Sequence, residues 1–164
     1  MNTRTFALIF GIIFLLVGIA GFIPGLVTHM EPMTGAAPGD ADAAGTAGMA
    51  ASYGYLLGLF PVNALHNLFH IVWGVLGLAA YRSFSGARLY ARATAVVYGL
   101  LTIMGLVPGL NTVFGLLPLQ GHDVWLHALL AIIAAYFGFA RPREVETGER
   151  VDRTTVSATP SRRS

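Results

Sequence analysis

Long apolar runs separated by short polar joints dominate the chain, at residues 5–27, 63–81, 89–107 and 123–140. Crossing a hydrocarbon core takes about 20 apolar residues in helical form, so each run predicts one transmembrane helix. The expected architecture is all-α, an integral membrane four-helix bundle over residues 1–143. A charged, Ser/Thr-rich tail at 144–164 is expected to be disordered and cytoplasmic. Pro24-Gly25 and Pro108-Gly109 stand at the ends of the first and third runs, where they stop a helix. The short apolar segments 55–60 and 112–117 lead into Pro61 and Pro118 and predict interfacial helices or turns over the outer mouth. Residues 33–51 are rich in Gly and Ala and predict a flexible insertion in the first outer connection.

The runs repeat. Gly58-Leu59-Phe60-Pro61-Val62-Asn63 matches Gly115-Leu116-Leu117-Pro118-Leu119-Gln120, and without a gap His70 falls on His127. Gly21-Phe22-Ile23-Pro24-Gly25-Leu26 likewise matches Gly105-Leu106-Val107-Pro108-Gly109-Leu110. The chain therefore reads as two tandem helical hairpins. Two-span units keep the same orientation, so the expected pseudo-twofold axis runs along the membrane normal.

Composition strengthens the membrane reading. Of 164 residues, 55% are hydrophobic and 11% charged, where a soluble domain carries roughly 25% charged residues. The absence of cysteine excludes disulfides, thiolate metal sites and iron–sulfur clusters. All ten basic residues are arginines, and they form neither a groove nor a stripe for nucleic acid. They mark topology instead. Arg4 precedes the first run, Arg82 and Arg88 separate the second and third, and Arg141 and Arg143 follow the fourth. The first outer connection carries only Glu31, Asp40 and Asp42, so both termini are expected in the cytoplasm. Arg82, Arg88 and Arg92 are placed to meet anionic lipid. The first run is too long for a signal-peptide core and lacks a clear cleavage site. Its counterpart in the third run also argues for retention.

With these residues in view, the chain resembles the bacterial membrane family known as domain of unknown function 4383. The resemblance rests on the Gly-rich first span, on Gly58 to Asn63 with His66-Asn67 and His70, on Tyr98-Gly99-Leu100 and on Asp123-Val124-Trp125-Leu126-His127. It covers about residues 5–140 and implies a four-span protein of the bacterial cytoplasmic membrane. It brings no activity, substrate or catalytic residue.

The candidate chemistry lies in one stripe. Asn63, His66, Asn67 and His70 are three and four apart and share a helix face, opposite Leu65, Phe69, Val72 and Leu76. Gln120, Asp123 and His127 form the matching stripe in the second hairpin. Polar side chains within a span face the bundle interior, which predicts a pseudo-symmetric His/Asn/Asp site near the extracytoplasmic end. The leading reading is structural or partner-binding, since such residues hydrogen-bond across membrane helices. Small residues at Gly11, Gly18, Ala91, Ala95 and Gly99 suit close helix contacts or a homo-oligomer.

Transition-metal binding is the alternative. His66, His70, Asp123 and His127 make a tetrahedral set suited to zinc. Imidazole also accepts copper, iron or nickel, and Asn63, Asn67 and Gln120 could orient the ligands. A haem variant takes His70 and His127 as axial ligands, with Gly74 and Gly77 leaving room for the ring, although no outer arginine faces the propionates. Small-solute or proton transport through His66, Asp123 and His127 is a further alternative. It is weakened by cytoplasmic halves nearly free of ionisable groups. His29, Met30 and Met33 form a weaker copper candidate, and His122 is expected to face water or headgroups. Trp125 suits the interfacial belt and Trp73 the packed interior. No phosphate loop, nucleophile elbow or Ser–His–acid arrangement is present, so the expectation is a non-enzymatic protein whose partners are lipid and other membrane protein.

Overall fold

The computed structural model describes residues 1–32, 49–50 and 52–140. The expected flexible insertion lies almost wholly outside the described residues. The expected tail, with Arg141 and Arg143, lies outside them altogether. Four helices dominate the described part: α1 (Thr3–Ala20), α2 (Ala64–Ala80), α3 (Phe84–Leu106) and α4 (His122–Ala135), the last running on through a π-helical turn, Tyr136–Ala140.

Local chemistry sets the starts. Asn2 caps α1 by accepting from the Thr5 amide at 2.7 Å, Asn63 caps α2 through the His66 amide at 2.7 Å, and Ser83 caps α3 through the Gly86 amide at 3.1 Å. The Ser83 cap begins α3 ahead of the expected position 89 and brings Arg88 onto the helix. α1 stops earlier than expected. A turn at Gly21 and Pro24-Gly25 breaks it, and Val27 already belongs to a strand.

That strand is the main departure from the all-α expectation. β1 (Val27–Pro32), β2 (Ser52–Leu56) and β3 (Phe60–Val62) form a small antiparallel sheet in the order β1-β2-β3. Val27 pairs with Leu56, and Tyr55 with Pro61. Segment 55–60 is thus a β-hairpin, not a helix. Its three-residue turn, Leu57-Gly58-Leu59, carries Leu57 and Gly58 at φ 54° and 72°, the left-handed conformations that tight hairpin loops need. Segment 112–117 stays a turn, with Val113, Phe114 and Gly115 at positive φ and the Gly115 amide donating to Thr112 Oγ1 at 3.1 Å.

Among the described residues, three helices are long and apolar enough to cross a membrane: Thr3–Ala20, Phe84–Leu106 and His122–Ala140. α2 has 17 residues, about 26 Å at 1.5 Å per residue, a little short of the roughly 30 Å hydrocarbon core. Burial is inverted relative to a water-soluble bundle. On α2 the buried positions are His66, Asn67, His70, Gly74 and Gly77, while Leu68, Val72, Val75 and Leu76 lie on the exterior. Leu16, Ile103, Trp125 and Ile132 are exposed on the other helices. So broad an apolar exterior suits lipid rather than water.

The helices pair closely as α1 with α2 and α3 with α4. Glycines set the first pair. A Cβ on Gly77 would stand 2.8 Å from the Gly11 Cα, and one on Gly18 2.7 Å from the Asn67 carbonyl oxygen. Gly11 and Gly18 therefore serve contacts within the chain, whereas Gly99 faces open space. Aromatic rings join the pairs: Phe6 stacks on Phe137 at 4.8 Å, and Phe14 on Tyr98 at 5.3 Å. At the opposite end from the sheet, Arg88 and Arg92 both donate from Nε to the Gly138 carbonyl, at 3.0 and 2.9 Å. Arg4 Nε donates to the Tyr81 carbonyl at 2.9 Å. These arginines hold helix ends together.

Candidate functional site

α2 presents His66 and His70 one turn apart, and α4 presents Asp123 and His127 at the same helical spacing. All four are buried. One ligating atom each from His66, Asp123 and His127 lies within 4.8 Å of the others. His127 Nε2 stands 3.6 Å from Asp123 Oδ2, too long for a hydrogen bond. The His66 and His127 rings are 6.2 Å apart. His70 stands beside this group rather than within it, its ring 4.4 Å from that of His66 and stacked at 5.7 Å on Phe14.

The four side chains share a further property. His66 Nδ1, His70 Nδ1, His127 Nδ1 and Asp123 Oδ2 are buried and have no hydrogen-bond partner. The His66 ring also lies beside the Pro61 backbone. A backbone contact of that kind orients metal-binding imidazoles in general and leaves the other nitrogen free for the ion.

The three amides of the stripe do different work. Asn63, besides capping α2, donates from Nδ2 to the Leu116 carbonyl at 2.8 Å, tying α2 to the turn at 112–117. Asn67 Nδ2 donates to the Gly21 carbonyl at 2.7 Å and so satisfies the end of α1. Gln120 Nε2 donates to the Tyr53 hydroxyl at 2.8 Å, and that hydroxyl donates to Glu31 at 2.9 Å. This chain fastens the sheet to the start of α4. Asn67 and Gln120 thus hold the frame at the sheet end of the bundle, and of the three amides Asn63 acts on a clustered residue, through the backbone of His66.

Two neighbours of the site come from helices that stripe reasoning did not connect to it. Tyr98 on α3 is fully buried, meets the His127 ring edge-on at 4.9 Å, and its hydroxyl has no partner. Phe14 on α1 forms the plate against His70. Tyr98 stood in the Tyr98-Gly99-Leu100 motif, the one available signal. The room expected beside Gly74 and Gly77 for a haem is taken by α1: a Cβ on Gly74 would lie 2.7 Å from the Leu15 amide nitrogen. Trp73 packs inside and donates to Thr94 Oγ1 at 3.1 Å. Trp125 and His122 are exposed, as are His29 and Met30, while Met33 lies outside the described residues.

A cavity of about 170 Å³ adjoins the cluster, between α1, the β2–β3 hairpin and α4. His70, Asp123 and His127 line it on one side. Phe14, Val17, Leu57, Phe60 and Leu126 contribute to its apolar walls.

This combination sits in a chain that belongs to the family described as domain of unknown function 4383, whose model matches residues 4–140. No curated protein and no solved structure shows significant similarity to it.

Proposed function

We propose that the chain is a four-span, non-enzymatic protein of a bacterial cytoplasmic membrane, built from two tandem hairpins with both termini inside, and that it binds one divalent transition-metal ion through His66, Asp123 and His127. The observation that carries the metal reading is the clustering of three buried ligating atoms within 4.8 Å, on side chains whose free nitrogens and oxygen have no partner. A tetrahedral ion with bonds of about 2.1 Å separates its ligands by roughly 3.4 Å, so small side-chain rotations close this group on an ion. Two imidazoles and a carboxylate suit zinc, with copper and iron as competitors.

Magnitudes favour a ligand over packing alone. A polar pair across membrane helices contributes about 0.6 kcal/mol on average. Each buried polar atom left unpaired costs about 1–3 kcal/mol. Four such atoms at one site amount to a cost comparable with the whole net stability of a domain, about 5–15 kcal/mol. An ion held by the cluster removes part of that cost.

The tandem-hairpin reading is supported by the pairing of α1 with α2 and α3 with α4. It is also supported by the matched left-handed glycines Gly58 and Gly115, at φ 72° and 82°. β3 leads directly into α2 at its outer end, which extends the reach of this shortest of the four apolar spans, α4 being continued by its π turn.

Elemental analysis of tag-free protein in mild detergent tests the metal reading. The parent is expected to carry near-stoichiometric metal after exposure to zinc, and a His66→Ala/His127→Ala double variant none. A parent that takes up no zinc, copper or iron overturns it.

A further inference from the structure

We infer that Arg88 and Arg92 form a binding site for the phosphate of an anionic phospholipid, with an acyl chain of that lipid lying along the outer face of α3. The site is at the opposite end of the bundle from the metal cluster and does not rest on the metal reading.

The charges at this end are unbalanced. All four arginines among the described residues, Arg4, Arg82, Arg88 and Arg92, are found there. The carboxylates among the described residues are Glu31 on β1 and Asp123 at the start of α4, both at the sheet end. Two of the arginines are drawn together. Arg88 and Arg92 lie one turn apart on α3, and both donate from Nε to the Gly138 carbonyl oxygen, at 3.0 and 2.9 Å. One neutral oxygen thus receives two guanidinium groups. Its partial negative charge at the end of α4 favours them but does not neutralise two full charges. The N–H donors on their Nη atoms have no partner among the described residues. A phosphate diester, with one negative charge shared by two oxygens, matches a pair of guanidinium forks held side by side.

Position identifies the source of the phosphate. Arg92 stands over the Phe139 ring at 5.2 Å, and Phe139 is exposed on the exterior of α4. The pair therefore lies at the α3–α4 seam, on the perimeter that faces lipid. Close packing fixes the stem of Arg92 there: a Cβ on Gly138 would stand 2.9 Å from its Cγ and 3.0 Å from its amide nitrogen. Farther along α3, Val96, Gly99 and Ile103 continue the face of Arg92 at helical spacing. Val96 and Ile103 are exposed, and a Cβ on Gly99 would have nothing within 4 Å. A shallow apolar notch thus runs from the guanidinium pair towards the middle of the span, which is the course of an acyl chain below its headgroup. On the topology proposed above, this end meets the cytoplasmic leaflet, where anionic lipid is concentrated. Arg82, in the turn between α2 and α3, is exposed and takes no part in the Gly138 contact. The expectation of lipid contact at three arginines narrows to this pair.

Native mass spectrometry of the full chain in mild detergent, with dioleoyl phosphatidylglycerol or dioleoyl phosphatidylcholine added, reads the bound lipid. The parent is expected to retain one phosphatidylglycerol in preference to phosphatidylcholine. Arg88→Gln/Arg92→Gln should lower that affinity about thirtyfold, roughly fivefold for each charge. Arg4→Gln/Arg82→Gln removes the same charge from the same end and should lower it only about twofold, through the general field. Gly99→Leu alters no charge, fills the notch and should weaken retention severalfold, and it decides the matter if the first double variant does not fold. Inorganic phosphate in excess should not displace the lipid. Equal losses in the two double variants, unchanged retention in Gly99→Leu, or displacement by inorganic phosphate would each overturn the assignment. Equal retention of the two lipids would also overturn it, and would leave the guanidinium groups to a carboxylate of this chain such as Glu144.

Discussion

Gly11 on α1 and Gly74 on α2 bring two helix backbones into direct contact. A Cβ on Gly11 would stand 2.9 Å from the Gly74 carbonyl oxygen, and one on Gly74 would stand 2.8 Å from that of Gly11. This approach places Phe14 against His70 and seals the space on which a larger cofactor would depend. Gly74→Val should force α1 and α2 apart and lower stability by about 1–3 kcal/mol, the usual cost of overpacking. Thermal unfolding in detergent reads the change. Gly99→Ala, inside α3 with nothing within 4 Å, should leave the midpoint unchanged or raise it, since alanine is favoured over glycine within a helix by about 0.5–1 kcal/mol. Equal behaviour of the two variants would refute the backbone-contact account.

Asn67 separates framework from ligand. Its amide nitrogen donates 2.7 Å to the Gly21 carbonyl, one of the orphan groups at the end of α1. Asn67→Ala removes that donor and leaves the carbonyl in a largely apolar setting, which should cost about 1–3 kcal/mol. Metal content measured on the same preparation should match the parent, because the clustered ligands are His66, Asp123 and His127. A loss of metal without a loss of stability would instead make Asn67 part of the ion's surroundings.

The helical stripe was legible in the chain because its period is a property of one element. Asn63, His66, Asn67 and His70 recur at helical spacing, and the same spacing continues through Gly74 and Gly77 to give the buried face of α2. What the stripe meets was not legible. Asn67 finds Gly21 and Gln120 finds Tyr53 across 46 and 67 positions, and no local period encodes such a distance. Tyr98 and Phe14 reach the site from α3 and α1 for the same reason. The sheet was hidden by its size: β3 has three residues, and the apolar segment around Leu57-Gly58 is too short for a period of two to stand apart from one of 3.6. The bonds from Arg88 and Arg92 to Gly138 depend on the π turn at the end of α4, which no hydropathy pattern announces.

Tyr53 gives a prediction in pH. Burial first, and then its hydrogen bonds with Tyr55 and Glu31, pushes its phenol up to about 12, from an ordinary value near 10. The folded state therefore holds this proton more tightly than the unfolded chain does. The stability it contributes is fully present below about pH 10 and is lost as the pH rises towards 12. In alkaline titration the parent should lose stability across that window more steeply than Tyr53→Phe, which has no phenol to ionise. Parallel curves for the two proteins would show that the Gln120–Tyr53–Glu31 chain does not retain the proton.

Metal linkage should be visible in stability as well as in composition. An ion that binds only the folded chain raises its stability by mass action, by about 2.7 kcal/mol at a free concentration 100 times its dissociation constant. Zinc should therefore raise the unfolding midpoint of the parent, and a chelator should reverse the shift. Asp123→Asn keeps the shape of the side chain but removes its negative charge, which weakens the ligand, so the shift should shrink sharply. The exposed His29 and His122 lie apart from the clustered ligands, and a His29→Ala/His122→Ala variant should retain the full shift. This pair of variants distinguishes the buried cluster from adventitious surface histidines. A shift that survives Asp123→Asn but disappears in the surface variant would move the ion out of the bundle and return His66 and His127 to packing alone.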